Sequence, residues 1–103
     1  MLTKKLLIAM MLVLILAAGG VQAGGDAARG AELASDCAAC HGDDGKGDQD
    51  MPALAGMDAA VHAKKLADYK SGAAEGEMAD YVGDLSEQDM NDLAAYYATL
   101  PGN

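Results

Sequence analysis

The sequence predicts a small all-α domain. The chain after residue 23 is rich in Ala, and its apolar residues recur at helical spacing, as in the stripe Met90, Leu93, Ala94 and Tyr97. Strand signals, which would be short alternating runs of β-branched and aromatic residues, are nearly absent. Phe and Trp are missing, and the only aromatic residues are four Tyr. A chain of this size and composition has few large side chains with which to fill a hydrophobic core.

The first 23 residues have the parts of an export signal. Lys4 and Lys5 supply positive charge, Leu6 to Ala18 form an apolar run of 13 residues, and Val21-Gln22-Ala23 places small residues before a cleavage point. The run is short for a membrane span, which needs about 20 residues. We therefore predict a cleaved signal peptide over residues 1–23, with an uncleaved N-terminal anchor as the alternative. The remaining 80 residues, 24–103, form one predicted domain.

The first half of this domain begins with a predicted helix. Asp26 is a good cap, and the helix is expected to run through Leu33 into Cys37. The segment from His41 to Asp48 holds three Gly among several Asp, which predicts a loop. Residues 51–56 are expected to continue this loop in extended form.

Two more helices are predicted in the second half. Asp58 caps a helix over residues 59–70, which ends at Ser71-Gly72. Residues 72–84 are predicted to be mostly loop. Ser86 and Asp89 have the spacing of a capping box, and the helix that they begin is expected to end at Thr99 or Leu100, before Pro101.

The motif with the most specific chemistry is Cys37-Ala38-Ala39-Cys40-His41. C-x-x-C-H is the attachment signature of a c-type haem. Two Cys three positions apart on a helical turn point the same way, so both thiols can bond to the vinyl groups of one haem. His41 follows directly, where a ring nitrogen can ligate the iron. The motif therefore predicts one haem c, attached through Cys37 and Cys40, with His41 as a metal ligand.

C-x-x-C also occurs in three other kinds of site. A thioredoxin-like redox pair should lie beside a βαβ pattern, which is not visible in this sequence. A zinc site needs about four ligands, and the chain has two Cys and two His in total. A structural disulfide is the third alternative. Export favours haem attachment over all three, because bacteria attach haem covalently outside the cytoplasmic membrane.

The second axial ligand decides whether the haem iron has a free position at which other molecules can bind. Electron carriers fill this position with Met or His, whereas gas-binding or catalytic haems leave it open or labile. Met90 lies on the apolar stripe of the last helix, and Met51 and Met57 lie too close to His41 in sequence to cross to the opposite haem face easily. Met78, 37 residues after His41 in a predicted loop, is the preferred ligand. His62 shares a helical face with apolar residues, which favours a partly buried packing role over ligation.

The net charge of the domain restricts the kinds of molecule that it can bind. Residues 24–103 carry five basic and 16 acidic side chains, a net charge of −11 before any haem carboxylates are counted. Nucleic acids and anionic membrane surfaces are therefore poor partners, and a redox protein with a basic docking surface is favoured. The acidic cluster Asp43, Asp44, Asp48 and Asp50 is expected to be a solvated loop, with adaptation to a saline habitat as the alternative.

The domain resembles class I cytochromes c of the short bacterial type, such as cytochromes c553, cytochromes c4 and the haem subunit of flavocytochrome c sulfide dehydrogenase. The resemblance covers essentially residues 24–103. The residues and segments that carry it are Gly30, Cys37 to Gly42, Pro52 to Gly56, Leu66 to Gly72, Met78 seven residues before Leu85-Ser86, Asp89, and Leu93 to Tyr97.

The resemblance implies a fold and further roles. N- and C-terminal helices would cross around one covalently bound haem, with Gly30 allowing the close approach and Tyr96 packed against it. Met78 would be the distal ligand, the Pro52 carbonyl would accept the ring N–H of His41, and Leu54 would pack on the haem.

The function expected from the motif, the charge and the resemblance is that of a soluble periplasmic electron carrier, not an enzyme, without stable membrane insertion once the signal is removed. Its haem would have His/Met axial ligation. The alternatives are the haem subunit of a larger oxidoreductase, such as a flavocytochrome c sulfide dehydrogenase, and a gas-binding or peroxidatic haem protein.

Overall fold

Five helices make up the regular structure of residues 24–103, the part of the chain that the computed structural model describes. The predicted signal peptide over residues 1–23 lies outside the described residues. The helices are α1 (Ala27–Leu33), α2 (Ser35–His41), α3 (Ala59–Ser71), α4 (Met78–Val82) and α5 (Glu87–Thr99). Residues 24–103 contain no strand, so the prediction of an all-α domain is confirmed.

The N-terminal helical segment is divided, which corrects the prediction of one helix from Asp26 into Cys37. Asp26 caps α1 as expected, since its side chain accepts hydrogen bonds from the Ala28 and Arg29 amides. Ala34 then separates α1 from α2. Its ψ of −8° is far from the roughly −42° of an α-helix, which interrupts the hydrogen-bond ladder for one residue. The second helix continues beyond Cys37 to His41.

Helix α3 agrees with its prediction to within one residue. The Asp58 side chain accepts the Val61 amide at 3.1 Å and so caps the start. The helix ends at Ser71, followed by Gly72 in the left-handed conformation.

The segment after α3 is more ordered than predicted. Residues 78–82 form the short helix α4 instead of a continuous loop, and Met78 is its first residue. The stretch from Glu77 to Val82 contains neither Gly nor Pro, and Val82 is only 1% exposed, so burial of this turn favours a helix. The Lys70 ammonium group donates to the Leu85 carbonyl and joins the end of α3 to the residues that follow α4.

The last helix confirms its predicted start and stripe. Ser86 and Asp89 form a reciprocal capping box, with the Asp89 amide donating to the Ser86 hydroxyl at 2.9 Å. The four stripe residues, Met90, Leu93, Ala94 and Tyr97, are all at most 5% exposed.

Helix α5 packs against both α1 and α3, and α3 also contacts α4. The crossing with α1 is close at Gly30. A Cβ on Gly30 would overlap the Asp92 carbonyl oxygen and lie 2.8 Å from the Tyr96 Cβ. The expected contact of Gly30 with Tyr96 is therefore present. Among residues 24–103, no helix is both long and apolar enough to cross a bilayer.

A buried carboxylate stabilises the crossing of α1 and α5. Asp92 is 4% exposed, and its Oδ1 accepts the Asp26 amide at 2.7 Å and the Gln88 side-chain amide at 2.8 Å. We expect Asp92→Ala to lower the free energy of unfolding by about 1.5–3 kcal/mol, because both hydrogen bonds to this buried carboxylate are lost. Urea unfolding of the haem-loaded protein measures the change. Asp68→Ala, which removes the partner of an exposed Lys64 ion pair, is the control, and an equal loss in both variants would contradict the prediction.

Candidate haem site

A cavity of about 430 Å³ lies between α2, the segment that follows it, and α3, α4 and α5. The structure brings every predicted site residue to its wall: Cys37, Cys40, His41, Pro52, Leu54 and Met78. These residues come from separate parts of the chain, so their convergence is a property of the fold and not of any one segment.

Helix α2 carries the attachment motif at its C-terminal end. Cys37 is half-buried and Cys40 is exposed, and both residues line the cavity. Burial raises the pKa of the Cys37 thiol above its usual range. The three-residue spacing on a helix explains why both sulfur atoms reach the same cavity.

His41, the last residue of α2, is held by the loop that follows. Its side chain is 5% exposed, and its Nδ1 lies 2.7 Å from the Pro52 carbonyl oxygen. With a proton on Nδ1, the ring donates to this carbonyl, and Nε2 keeps a free lone pair. The predicted contact between His41 and Pro52 is thus present in the structure.

Tight turns in the loop make this contact possible. The Gly47 amide donates to the His41 carbonyl at 2.8 Å, and the Leu54 amide donates to the Gly45 carbonyl at 2.7 Å. Gly45 has a φ of 71°, and a Cβ there would lie 2.9 Å from the Tyr97 ring, so a side chain would be both strained and crowded. The loop therefore folds back and returns Pro52 to His41.

The acidic residues of this loop have a structural role besides solvation. Asp48 accepts the amides of Asp50 and Met51 at 2.8 and 2.9 Å, and Asp44 accepts the Lys46 amide at 3.0 Å. Such side-chain caps are typical of Asx turns. The cluster is mostly exposed, in agreement with the predicted solvated loop.

Apolar side chains form most of the remaining wall. Leu54 is 9% exposed and lies at the cavity together with the buried residues Leu66, Val82 and Leu93. Ligand pockets in proteins are typically apolar with a few placed polar groups, and this one combines an apolar wall with two thiols, an imidazole and a thioether. This donor set fits a covalently bound haem.

Three side chains at the cavity could supply a second axial ligand. Met51, Met78 and His62 line it, whereas Met90 is buried in the helix core and Met57 packs against that core. Met51 directly precedes Pro52, whose carbonyl contacts His41, and so it belongs to the side of the cavity that holds His41. Met78 comes from α4, a separate wall.

His62 is more deeply buried than its sequence context suggested. It is 3% exposed, its Nδ1 has no hydrogen-bond partner among the described residues, and its ring centroid lies 5.6 Å from that of Tyr97. Burial lowers the pKa of His62 to about 4, and the nearby His41 and Lys65 add to this shift. Packing against Tyr97 agrees with the predicted packing role.

The cavity is also lined by three residues that the sequence motifs do not identify, Lys65, Tyr81 and Tyr97. The signal for Tyr97 was its place on the apolar stripe of α5. Lys65 lies three residues after His62 and so shares its helical face. Nothing in the sequence distinguished Tyr81, which is 60% exposed.

An all-α domain with C-x-x-C-H at a helix end and an apolar cavity above it defines the c-type cytochrome class. The family model described as Cytochrome c matches residues 27–101, and the chain belongs to this family. Membership implies a covalently bound haem c. The predicted resemblance to class I c-type cytochromes is therefore confirmed.

Two relatives show which members of the family the chain is similar to. Cytochrome c4 of Pseudomonas aeruginosa is 41% identical over 98 residues, which cover 93% of this chain and 48% of the relative. Cytochrome c-554(548) of Halomonas halodenitrificans is 36% identical over 80 residues, which cover 73% of this chain and 96% of that protein. The chain spans about half the length of the cytochromes c4 that it matches.

Two solved structures have a fold similar to that of the chain. The crystal structure of reduced recombinant cytochrome c4 from Pseudomonas stutzeri superposes with a TM-score of 0.69 at 38% identity, over 77% of this chain and 47% of that one. A thiosulfate dehydrogenase from Marichromatium purpuratum gives a TM-score of 0.71 at 32% identity, over 78% of this chain and 20% of that one. The chain is thus a c-type cytochrome that is similar to cytochrome c4 over about half of the length of that protein.

Proposed function

We propose that residues 24–103 are a periplasmic electron carrier with one haem c, attached through Cys37 and Cys40 and ligated by His41 and Met78. In this proposal, residues 1–23 are the signal peptide that directs export and is then removed. The observation that carries the proposal is the convergence of both thiols, the imidazole and the Met78 thioether on one apolar cavity. The match to cytochrome c-554(548), which extends over 96% of that protein, supports an independent domain.

The haem, when bound, supplies a one-electron Fe(II)/Fe(III) couple. Cys37 and Cys40 would hold the haem through two thioether bonds. The Pro52 carbonyl accepts the Nδ1 proton of His41, which orients the ring, leaves the Nε2 lone pair available for a metal and raises the basicity of that nitrogen.

Met78 and the cavity wall determine which oxidation state is favoured. A neutral, soft thioether raises the reduction potential relative to a second imidazole. Leu54, Leu66 and Val82 are buried side chains of the cavity wall, and such an apolar surrounding would disfavour the additional charge of the oxidised state. The net charge of −11 acts in the opposite direction by stabilising the oxidised form.

Optical and redox titration of the purified, haem-loaded protein tests the proposal. We expect a haem that stays with the polypeptide after denaturation, one reversible one-electron step, and the absorption features of thioether ligation. A haem that is extracted on denaturation would refute attachment through the two Cys. Carbon monoxide binding to the reduced protein at neutral pH would favour the gas-binding alternative over a closed electron carrier.

A second candidate is the haem subunit of a larger oxidoreductase. It is favoured by the similarity to a thiosulfate dehydrogenase, of which this domain matches only 20%. Co-purification of the native protein with a dehydrogenase, at fixed stoichiometry, would support the subunit role. A monomer that exchanges electrons reversibly by itself would support the independent carrier.

The acidic surface makes a prediction about partners. We expect electron exchange with a redox protein that has a basic docking surface to slow by about tenfold or more as salt rises from low to physiological ionic strength, because screening weakens the attraction between the surfaces. Stopped-flow kinetics at a series of salt concentrations measures the rate. A partner with an acidic surface is the control and should react faster as salt rises. A rate that does not depend on salt would contradict docking by charge.

A further inference from the structure

Helix α4 has two sides of different character. Met78 and Val82, four residues apart, share a helical face and line the cavity. Glu77 and Tyr81, also four residues apart, lie at the edge of the same cavity, and both are exposed to solvent. Tyr81 is 60% exposed, more than any other large hydrophobic side chain among residues 24–103. One side of α4 therefore faces the cavity, and the other is an exposed surface beside it.

The exposed side of α4 is strongly acidic. It consists of exposed residues of α4 and of the turns that flank it, which we call the α4 surface: Glu75, Glu77, Asp80, Tyr81 and Asp84. Residues 71–103 contain no Lys or Arg. Lys70 lies at the border of the surface, where its ammonium group donates to the Leu85 carbonyl. The ion pairs of the described residues involve the carboxylates of Glu32, Asp68 and Asp89, so the four acidic residues of the α4 surface form none.

Two other exposed regions differ from the α4 surface. Val61 is 48% exposed on α3, but two Lys follow it at helical spacing, so a basic partner would be repelled there. The acidic loop of residues 43–50 contains Lys46 and no aromatic residue, and Asp44 and Asp48 accept backbone amides within it. Of these three regions, the α4 surface combines an exposed aromatic ring with carboxylates on both sides of it in sequence.

This combination fits the side chains of Lys and Arg. A cation above an aromatic ring is attracted by the negative charge of the ring face. Carboxylates near the ring add charge-assisted hydrogen bonds to the same cation. Tyr is also among the residues that contribute most to binding at protein interfaces. The expected occupant of the α4 surface is therefore a protein that presents Lys or Arg.

We propose that the α4 surface is the docking surface for a basic redox protein, with a Lys or Arg side chain of that protein packed on the Tyr81 ring. This inference rests on the proposed electron-carrier function, and it adds the location of the interface and the residue at its centre. An α-helix with its side chains is about 10 Å across, so a protein on the exposed side of α4 lies about that distance from the cavity that Met78 lines. Docking there brings the partner close to the haem site.

Electron exchange with a small cationic reagent tests the location of the surface. Hexaammineruthenium(II) gives one electron to the oxidised haem and becomes hexaammineruthenium(III), and no bond forms or breaks. One variant removes three charges from the α4 surface: Glu77→Gln, Asp80→Asn and Asp84→Asn. The matched control removes three exposed carboxylates that lie elsewhere and outside the cavity wall: Glu32→Gln, Asp43→Asn and Glu87→Gln.

The two variants have the same net charge, so a difference between their rates reports the position of the charges. At low ionic strength we expect the α4 variant to be reduced about three- to tenfold more slowly than the control, because the local attraction of the cation is lost. Stopped-flow absorbance of the haem measures both rates. Equal rates would overturn the location.

A redox-inactive pentalysine peptide tests the role of Tyr81. In an NMR titration of the haem-loaded wild type at low salt, we expect amide shifts to concentrate in residues 75–85 and not in residues 43–50. Tyr81→Ala should weaken peptide binding by about two- to fivefold, because the attraction between the cation and the ring is lost. Tyr81→Phe keeps the ring and should bind like wild type.

The outcomes separate the docking surface from the proposed function. Peptide shifts centred on the loop of residues 43–50, or equal binding by Tyr81→Ala and Tyr81→Phe, would overturn the docking surface. The wild-type titration decides even where the α4 variant does not load haem, since it needs no substitution. Absence of covalent haem, or of a reversible one-electron step, from the wild type would instead refute the proposed function itself.

Discussion

Met78→Ala is expected to leave one axial position of the haem iron without a protein ligand. The thioether of Met78 reaches the cavity from α4, on a different wall from His41, and Ala has no atom that can replace it. We expect loss of the absorption features of thioether ligation, a lower reduction potential, and a reduced form that changes from binding almost no carbon monoxide to binding about one equivalent at neutral pH. Optical spectra, redox titration and carbon monoxide titration measure the three effects.

Met51→Ala is the matched control for this experiment. Met51 also lines the cavity, but it adjoins Pro52 and therefore the side occupied by His41. This variant should keep the spectrum and the closed iron. If Met51→Ala loses the thioether features and Met78→Ala retains them, the ligand assignment is wrong. His62→Leu combined with Met78→Ala shows whether the buried imidazole replaces the missing ligand.

The sequence predicted the parts of the fold that depend on local chemistry. Asp58 and the Ser86–Asp89 box identified the starts of α3 and α5, because a capping hydrogen bond spans only two or three residues. The stripe from Met90 to Tyr97 identified the buried face of α5, since helical periodicity is visible without any knowledge of the partner.

The errors arose where tertiary contacts override local preference. Ala34 is an excellent helix former, yet the chain turns there and buries its side chain at 6% exposure. The segment around Met78 contains too few residues to show periodicity, and it becomes helical because Val82 is buried against its neighbours.

The candidate site also combines features that a local sequence motif predicts with features that depend on tertiary packing. C-x-x-C-H could be recognised because five adjacent residues contain its chemistry, and spacing alone places both thiols on one face. The contributions of Tyr97 and Lys65 require the packing of α5 and α3 around the cavity, which no local pattern reveals. The depth of His62 likewise follows from its contact with Tyr97, 35 residues away in the chain.

Gly30→Ala is expected to destabilise the whole domain. Gly30 lies inside α1, where Ala is ordinarily better by about 0.5–1 kcal/mol. Its surroundings reverse that preference, because the added Cβ would overlap the Asp92 carbonyl oxygen and approach the Tyr96 Cβ to 2.8 Å. Backbone cannot yield as a flexible side chain can, so α1 must move away from α5. We expect a net loss of about 1–3 kcal/mol in the free energy of unfolding, measured by urea unfolding of the haem-loaded protein.

Gly24→Ala is the matched control, since no atom lies within 4 Å of a Cβ placed there. The control should unfold like wild type, and a Gly30→Ala protein as stable as the control would refute close contact at the crossing. A displaced α1 would also lengthen the 2.7 Å bond from the Asp26 amide to Asp92, so the loss should be smaller in an Asp92→Ala background. Because α5 carries both Asp92 and the cavity residues Leu93 and Tyr97, a change at this crossing should also alter the haem spectrum.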